Sequence, residues 1–439
     1  INGHKENEIF KALQKAQKAK KPTVISCKTK IGYGSPNKSG KASSHGSPLG
    51  VDEVLLARKK LGWSHKPFEI PKNILSAWRS IGKRGEKIEK RWLEIYKKNK
   101  TNINNSLKNN FQSSIIEEKK NAVNEKKSFA SRKSSEVMIY SLFNKNNTLI
   151  GGSADLAGSN NTKTKNHKII KPGNFDGNYI HYGVREHAMC GIMNGLALHS
   201  KLIPYGGTFL IFSDYCKPSI RLAAMMGQQV IYVMTHDSIG LGEDGPTHQP
   251  IEQLSGLRAI PNLNVLRPAD KLETIECWEL ALKNSNTPSI LSLTRQNLDP
   301  IRNKFTIKNK CSLGAYEVLR TKKKINLTIL ASGSEVKLAI ETSHKLAKEK
   351  IYSKVVSVPC MELFDKQSKK YRDNILNETK FKISIEAGSS DCWRKYVGDF
   401  GITFGINEFG KSAPYKEIFN YFGLANKSIA KKSKNLIKR

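Results

Sequence analysis

One apolar run, a loop and one amphipathic stretch form the most informative part of the chain. Val230 to Met234 is continuous, rich in β-branched residues and short, which predicts a strand buried on both faces. Ile251 to Leu257 has apolar residues at helical spacing and predicts a helix. The loop between them, residues 235–250, contains three glycines, two histidines and three acidic residues. Because ligands of open parallel sheets bind beyond the carboxyl ends of the strands, this loop predicts a functional site.

The same alternation of strand-like runs and helical patterns continues on both sides of this loop. Residues 288–294 form another strand-like run, and the small and apolar residues 188–198 predict a tightly packed helix. Short connections between alternating strands and helices indicate the α/β class with parallel sheets. We predict two successive open, mostly parallel-sheet α/β domains, residues 126–305 and 306–439, after a first region at residues 1–125.

The first region has a different pattern. Residues 5–19 have helical spacing, and Pro22 to Cys27 predicts a strand that opens into a Gly/Ser/Pro-rich loop containing His45. A strand leading into such a loop is typical of backbone that approaches a ligand, although a loop histidine alone is usually solvated. The Asn/Lys/Ser-rich residues 97–127 have low hydrophobicity, and we expect them to be a linker.

The composition is strongly basic, with 74 Lys and Arg against 38 Asp and Glu and a formal charge of +36. Such an excess raises a nucleic-acid hypothesis. Lysine occurs together with abundant asparagine and isoleucine, as coding bias toward A and T would produce, and the basic clusters lack interleaved aromatic residues. We therefore expect weak attraction to polyanions and no specific nucleic-acid partner.

Cysteine usage and hydropathy indicate the cellular setting. The seven cysteines are scattered and form no Cys-x-x-Cys pair, which argues against a zinc site or a disulfide framework and favours a reducing cytoplasm. No apolar run approaches the length of about 18 residues that a membrane span needs, so we expect no membrane partner. The chain starts with Ile1 and has no basic-then-apolar leader, which fits a missing N-terminal segment rather than a signal peptide.

Polar residues follow four strand ends of the predicted middle domain and would surround one crevice. They are Asp155 with Ser159, Glu186, His236 with Asp244 and His248, and Arg295. A metal site at the two histidines is disfavoured, because eleven residues separate them and no cysteine accompanies them. A Ser-His-Asp hydrolase is disfavoured, because the chain has no Gly-x-Ser-x-Gly nucleophile turn. We predict no metal ligands among these residues.

At this point the chain resembles the transketolase family. Thr235 to Pro250, Thr-His-Asp-Ser-Ile-Gly-Leu-Gly-Glu-Asp-Gly-Pro-Thr-His-Gln-Pro, matches the family motif throughout. Further stretches match in pattern: Gly32 to Gly50, Gly151 to Ala157, Gly183 to Glu186 and Ser292 to Asn297. Since the matches run from the first residues to the C-terminal domain, chance similarity is a poor explanation.

The resemblance implies a role for each of these residues. Glu186 would hydrogen-bond the aminopyrimidine ring of thiamine diphosphate and drive the imino tautomer that removes the thiazolium proton. His45 would assist proton transfer or stabilise an oxyanion. The implied catalytic residues are Glu186, His45 and His248. The implied cofactor-binding residues are Asp155, Glu186, Phe209, Phe212, Tyr215 and His45. The implied substrate-binding residues are His45, Arg132, Ser159, His236, Asp244, His248 and Arg295.

The implied reaction is reversible transfer of a two-carbon ketol group from a ketose phosphate to an aldose phosphate, in the pentose phosphate pathway. The resemblance also implies thiamine diphosphate and Mg²⁺ as cofactors, sugar phosphates as substrates and a homodimer in the complete protein. Arginine suits phosphate because its planar fork of donors matches phosphate oxygens.

The resemblance is incomplete in one respect. The family anchors the diphosphate and Mg²⁺ through Gly-Asp-Gly and a later Asn-Asn, and this sequence has no Gly-Asp-Gly. We therefore expect that most of the diphosphate-binding domain and the Mg²⁺ ligands are missing, that residues 1–125 are its C-terminal remnant with a helical linker, and that this chain alone is inactive. It would be a gene fragment or the smaller partner of a split enzyme. Alternatives are a related enzyme, dihydroxyacetone synthase or deoxyxylulose-phosphate synthase, or a basic noncatalytic binding protein with the same fold.

Overall fold

The computed structural model describes residues 1–106, 110–144 and 148–438, without the side chains of residues 104–106. Two compact units, residues 1–100 and 101–439, make up the chain, and the features of each are given separately. Each helix in the described part of the chain is too short or too polar to cross a bilayer.

The first unit is helical and contains one incorrect prediction. Its helices are α1 (Glu6–Gln17), α2 (Val51–Lys60), α3 (Lys72–Lys83) and most of α4 (Glu86–Ser106). The predicted strand at Pro22 to Cys27 is wrong. Within residues 1–100, all of which are described, this segment has no strand partner, and only the adjoining Lys28 forms a single bridge, with Asn2. Val24 is 94% exposed, so an apolar run here has no sheet to join.

Residues 97–127, which we expected to be a linker, are mostly helical where they are described and include a partly buried helix; residues 107–109 lie outside the described residues, and the role as a linker stays a prediction. Helix α5 (Phe111–Glu125) buries Ile115 and Lys119 against the rest of the unit. The Lys119 ammonium lies 3.0 Å from the Glu279 carboxylate and 3.7 Å from that of Glu276. A polar segment thus folds because its buried charge is neutralised by a helix distant in sequence.

The first of the two large sheets in this unit has six parallel strands in the order β3-β2-β4-β5-β7-β6. The elements in chain order are β1 (Phe129–Ala130), α6 (Ser131–Phe143), β2 (Leu149–Ser153), α7 (Ala157–Asn160), β3 (Tyr179–His181), α8 (Glu186–His199), β4 (Ile203–Phe209), α9 (Ser213–Met226), β5 (Ile231–Thr235), α10 (Gln253–Arg258), β6 (Asn264–Leu266), α11 (Lys271–Lys283), β7 (Ser289–Leu293) and β8 (Asn297–Leu298). The strand predicted from Val230 to Met234 is β5, whose five residues are all buried as expected for a strand covered on both faces.

A second sheet follows, with the order β13-β12-β10-β11-β9 and only β9 antiparallel. Its elements are β9 (Tyr316–Arg320), β10 (Leu327–Ala331), α12 (Glu335–Lys348), β11 (Ser353–Ser357), α13 (Met361–Asp365), α14 (Lys369–Leu376), β12 (Phe381–Ile385), α15 (Arg394–Val397), β13 (Ile402–Phe404), α16 (Tyr415–Tyr421) and α17 (Asn426–Ile437). The predicted fold class, two successive open and mostly parallel α/β sheets, is confirmed. The domain boundaries at 125/126 and 305/306 stay a prediction.

Candidate active site

Glu186 lies where β3 leads into α8, as the first residue of that helix. Its side chain is largely buried, and the Thr208 hydroxyl at the end of β4 donates to Glu186 Oε1 at 3.5 Å. A carboxylate in the first turn of a helix is favoured by the helix dipole. The result is an enclosed hydrogen-bonding group at the carboxyl edge of the six-stranded sheet.

Three aromatic rings continue from the end of β4. Phe209 and Phe212 are stacked with centroids 5.6 Å apart, and Tyr215 follows at 5.8 Å from Phe212. The series runs from Phe209, which is 8% exposed, to Tyr215, which is 66% exposed. A short 3-10 turn, Leu210–Phe212, joins β4 to α9 and keeps the rings adjacent. Flat apolar faces beside a buried carboxylate suit a planar heteroaromatic ring that offers a nitrogen for hydrogen bonding.

His236 and His248 lie against the same rings. The His236 ring is 3.8 Å from the Phe209 ring, and the His248 ring is 5.7 Å from that of Phe212. His236 immediately follows β5 and has a left-handed backbone with φ of 61°. Such a conformation is strained for a residue with a Cβ and is typical of functional positions. The loop predicted from the apolar pattern therefore meets the aromatic series.

The protonation state of His236 follows from its surroundings. Burial lowers its pKa to about 3, with contributions from the positive charges of Arg132 and Arg295 and from His248. The Thr235 hydroxyl accepts from Asn160 at 2.7 Å and lies 2.8 Å from His236 Nδ1. When that hydroxyl donates its own proton to Nδ1, the neutral ring carries its hydrogen on Nε2 and offers it as a donor.

Two guanidinium groups supply positive charge near these rings. Arg132, on α6, donates to the Ser159 carbonyl at 2.7 Å and is half-buried. Arg295, just beyond β7, donates to the Leu241 carbonyl at 2.7 Å and lies 3.8 Å from the Asp244 carboxylate. Burial lowers the pKa of Arg132, and Arg295 adds to this effect, so the two cations are within electrostatic reach of each other. Paired guanidinium groups at an open edge are suited to phosphate.

Two predicted residues, Asp155 and His45, are exposed to solvent. Asp155 follows β2 with φ of 61° and is exposed to solvent. His45 belongs to the first unit, where it follows the 3-10 turn Ala42–Ser44 and is also exposed. Its loop is held by Glu53, which accepts from the Asn37 backbone at 2.8 Å and from the Ser35 hydroxyl.

Sequence reasoning missed several supporting residues. Asn160 is fully buried, accepts from Ser153 at 3.0 Å and orients the Thr235 hydroxyl. Thr208 reaches Glu186, and Glu53 organises the loop of His45. Asn160 directly follows the predicted Ser159, and this adjacency was a usable signal. Glu53 gave no signal of this kind, because in the sequence it is an ordinary acidic residue in the first turn of a helix.

Comparison with known families divides the chain into three matches. Residues 1–119 match the family described as "Transketolase, thiamine diphosphate binding domain". Residues 127–300 match "Transketolase, pyrimidine binding domain", and residues 314–425 match "Transketolase-like TK C-terminal domain". The match over residues 1–119 does not support the expectation that most of the diphosphate-binding domain is missing.

Individual relatives agree with these matches. A transketolase of Sinorhizobium medicae is 42% identical over 447 residues, which cover 100% of this chain and 64% of the relative. One of Cereibacter sphaeroides is 44% identical, covering 99% of this chain and 67% of the relative. The crystal structure of the Campylobacter jejuni transketolase superposes with a TM-score of 0.85 at 36% identity, over 98% of this chain and 66% of that one. The chain thus spans about two thirds of the length of its relatives.

Proposed function

The chain belongs to the transketolase family, and on this premise we propose that the protein containing it transfers a two-carbon ketol group from a ketose phosphate to an aldose phosphate. The observation that carries the proposal is Glu186, enclosed at the start of α8 beside the aromatic series Phe209, Phe212 and Tyr215. Thiamine diphosphate, when bound, supplies a carbanion nucleophile and a ring that accepts electrons. The donor set fits its aminopyrimidine, because one carboxylate and flat apolar faces are what that ring requires.

Glu186 is proposed to hold and move the proton at the pyrimidine ring. Its carboxylate already accepts from Thr208 at 3.5 Å, a long contact that leaves it capacity for a further hydrogen bond. Phe209, Phe212 and Tyr215 would pack against the ring and exclude water, and Asp155 would line the outer side of the pocket. These assignments follow from the family resemblance and agree with the burial and ring contacts at this edge.

The remaining residues of the edge are proposed to bind the sugar phosphate. His236, neutral with Nε2–H, would donate to a sugar hydroxyl, and His248 would do so from the opposite end of the loop. Asp244 would accept from a hydroxyl, with Ser159 nearby on the β2 side. Arg132 and Arg295 would bind the phosphate. From the family resemblance, His45 would assist proton transfer or stabilise an oxyanion.

We also propose that the complete protein is a cytoplasmic homodimer. Helices α8 and α9 leave large apolar side chains in solvent, among them Leu198 at 56% exposure and Met225 at 64%. Apolar patches of this kind on a pair of packed helices are typical of a self-complementary interface.

We propose thiamine diphosphate as the cofactor, because residues 1–119 match the family's thiamine diphosphate binding domain. A polypeptide of these 439 residues is assayed with xylulose 5-phosphate and ribose 5-phosphate in the presence of thiamine diphosphate and Mg²⁺, beside the same assay without the cofactor. Turnover that does not depend on thiamine diphosphate would refute this part of the proposal.

The reaction is tested in the full-length protein that contains this chain. We expect product from the same two sugar phosphates, dependent on thiamine diphosphate, and its loss in Glu186→Gln. Glu252→Gln, at an exposed position between the loop and α10, is the matched control and should keep wild-type turnover. Absence of ketol transfer in the full-length wild-type protein, with the cofactor bound, would reject the proposed function.

A further inference from the structure

A buried ion network joins the two sheets of the second unit. We call it the Arg267 network, and it consists of Asp237, Arg258, Arg267, Glu335 and Glu386. Every one of these side chains is 5% exposed or less. Arg258 and Arg267 flank β6 of the first sheet, whereas Glu335 and Glu386 follow β10 and β12 of the second. Burying five charged groups costs folding free energy unless the opposite charges are closely paired. We therefore look for a structural or functional role of the network.

Arg267 is the bridge of this network. Its Nε donates to Asp237 Oδ2 at 2.8 Å, and its Nη1 donates to Glu335 Oε2 at 2.5 Å. Nη1 also lies 3.0 Å from both the carbonyl and the hydroxyl of Ser332. The planar fork of one guanidinium, with its donors at Nε and Nη1 in fixed directions, therefore contacts both sheets at once.

The backbone around Arg267 is tied to the second sheet as well. Its N–H donates to the Pro359 carbonyl at 2.8 Å, and its carbonyl accepts from the Gly333 N–H at 3.1 Å. Gly333 has φ of 55°, and a Cβ there would lie 2.8 Å from the guanidinium. Glycine in the turn between β10 and α12 thus leaves the space that the Arg267 side chain occupies.

Asp237, the partner of Arg267 on the first sheet, directly follows His236 in the sequence. Asp237 is 1% exposed and comes directly after the left-handed backbone of His236, at the end of β5. An ion pair on the next residue restrains the backbone that determines where the His236 ring points. That ring lies 3.8 Å from Phe209 and faces the proposed sugar-phosphate site.

We propose that Arg267 is a positioning residue, which through Asp237 holds His236 in its left-handed conformation and uses Glu335 of the second sheet as its anchor. The second sheet thereby contributes to the geometry of a site that lies on the first. The consequence for sugar-phosphate binding rests on the proposed function, whereas the restraint on His236 does not.

Arg267→Lys tests the restraint, because lysine keeps the charge and loses the fork. Arg302→Lys is the matched control: Arg302 is also buried and pairs with Glu276 at 2.9 Å. The ring ¹⁵N and ¹H signals of His236 are followed in the 439-residue chain without ligand, assigned with His236→Gln. The signals of His167, a buried histidine bonded to Tyr205 at 2.7 Å, serve as the internal reference.

The inference predicts that Arg267→Lys shifts or broadens the His236 signals and leaves those of His167 in place, while Arg302→Lys moves neither. Unchanged His236 signals in Arg267→Lys would overturn it, as would equal shifts in both variants. If Arg267→Lys does not fold, Glu335→Gln replaces it with the same expected outcome, since the amide keeps the volume and removes only the anchor's charge.

Kinetics of the full-length protein distinguish this inference from the proposed function. We expect Arg267→Lys to raise KM for the ketose phosphate about tenfold with a much smaller change in kcat, because His236 binds ground and transition states alike. Shifted His236 signals together with a wild-type protein that transfers no ketol group would count against the proposed function and support the positioning role. Shifted signals with unchanged KM would refute the link from Arg267 to substrate binding.

Discussion

His236 allows the electrostatics of the site to be tested directly, and we expect His236→Gln to make the fold less sensitive to acid. The residue is 4% exposed, and burial, with Arg132, Arg295 and His248, lowers its pKa to about 3. Glutamine retains hydrogen-bonding capacity and comparable size, so the substitution removes the titration with a limited change in packing.

The magnitude follows from the two pKa values. An unfolded histidine titrates near the ordinary pKa of 6.5, so between about 3 and 6.5 the unfolded chain binds more protons than the folded one. The stability that depends on a neutral His236 is present above pH 6.5 and is lost as the pH falls through this window. Between about pH 7 and pH 5 this single group accounts for a loss of about 2 kcal/mol.

The measurement is the free energy of unfolding in urea at those two pH values. His236→Gln should reduce the acid-induced loss by about 2 kcal/mol relative to wild type. His167→Gln is the matched variant, because burial also lowers the pKa of His167, to about 4, and its expected effect on acid sensitivity is similar. The two variants should differ in function, since only His236 lies against the Phe209 ring.

A His236→Gln protein that loses as much stability on acidification as the wild type, while His167→Gln loses less, would refute the reasoning. The pKa of His236 in the folded chain would then lie close to its unfolded value, and the burial that lowers it would not be supported.

Three further predictions concern catalysis, phosphate binding and packing. Glu186→Gln in the full-length protein should lower kcat by about 10²- to 10⁴-fold with an unchanged unfolding midpoint, measured by ketol-transfer assay, and near-wild-type kcat would contradict its proton role. Arg295→Met should raise KM for phosphorylated ketoses about tenfold and leave unphosphorylated ketoses unaffected; equal effects on both would exclude phosphate recognition. Lys119→Met should destabilise the chain by about 1.5–3 kcal/mol in urea unfolding, because it removes the buried cation shared by Glu276 and Glu279, while Arg302 and Lys283 remain as their other partners. Lys283→Met, which removes the 60%-exposed partner of the same Glu279, should cost about 0–1 kcal/mol, and similar losses for the two lysines would contradict the assignment of a buried pair.

Local patterns were sufficient for most of the fold. The apolar run before His236 became β5, and the amphipathic stretch after it became α10. These elements are predictable because a strand buried on both faces and a helix with one buried face impose their periodicity on the residues that form them. The meeting of polar side chains at the carboxyl edge was predictable because parallel strands end at the same edge, and the role of these residues as a site stays a prediction.

Local patterns were insufficient where a segment depends on distant partners. Helix α5 reads as a linker because its burial depends on Glu276 and Glu279, more than 150 residues away in sequence. The run from Pro22 to Cys27 has strand composition, but it pairs with no strand in the described part of the chain, and a strand needs a neighbouring strand to hydrogen-bond.

The sequence by itself determined the α/β class, the polar loop from His236 to His248 and, through its motifs, the family, because each depends on residues close together along the chain. Only the tertiary structure decided that His236 is neutral, that the Phe209 ring lies 3.8 Å from it, and that Arg267 ties the adjacent Asp237 to the second sheet. Burial and ion pairing are properties of three-dimensional neighbours, and those neighbours come from strands and helices that are far apart in sequence.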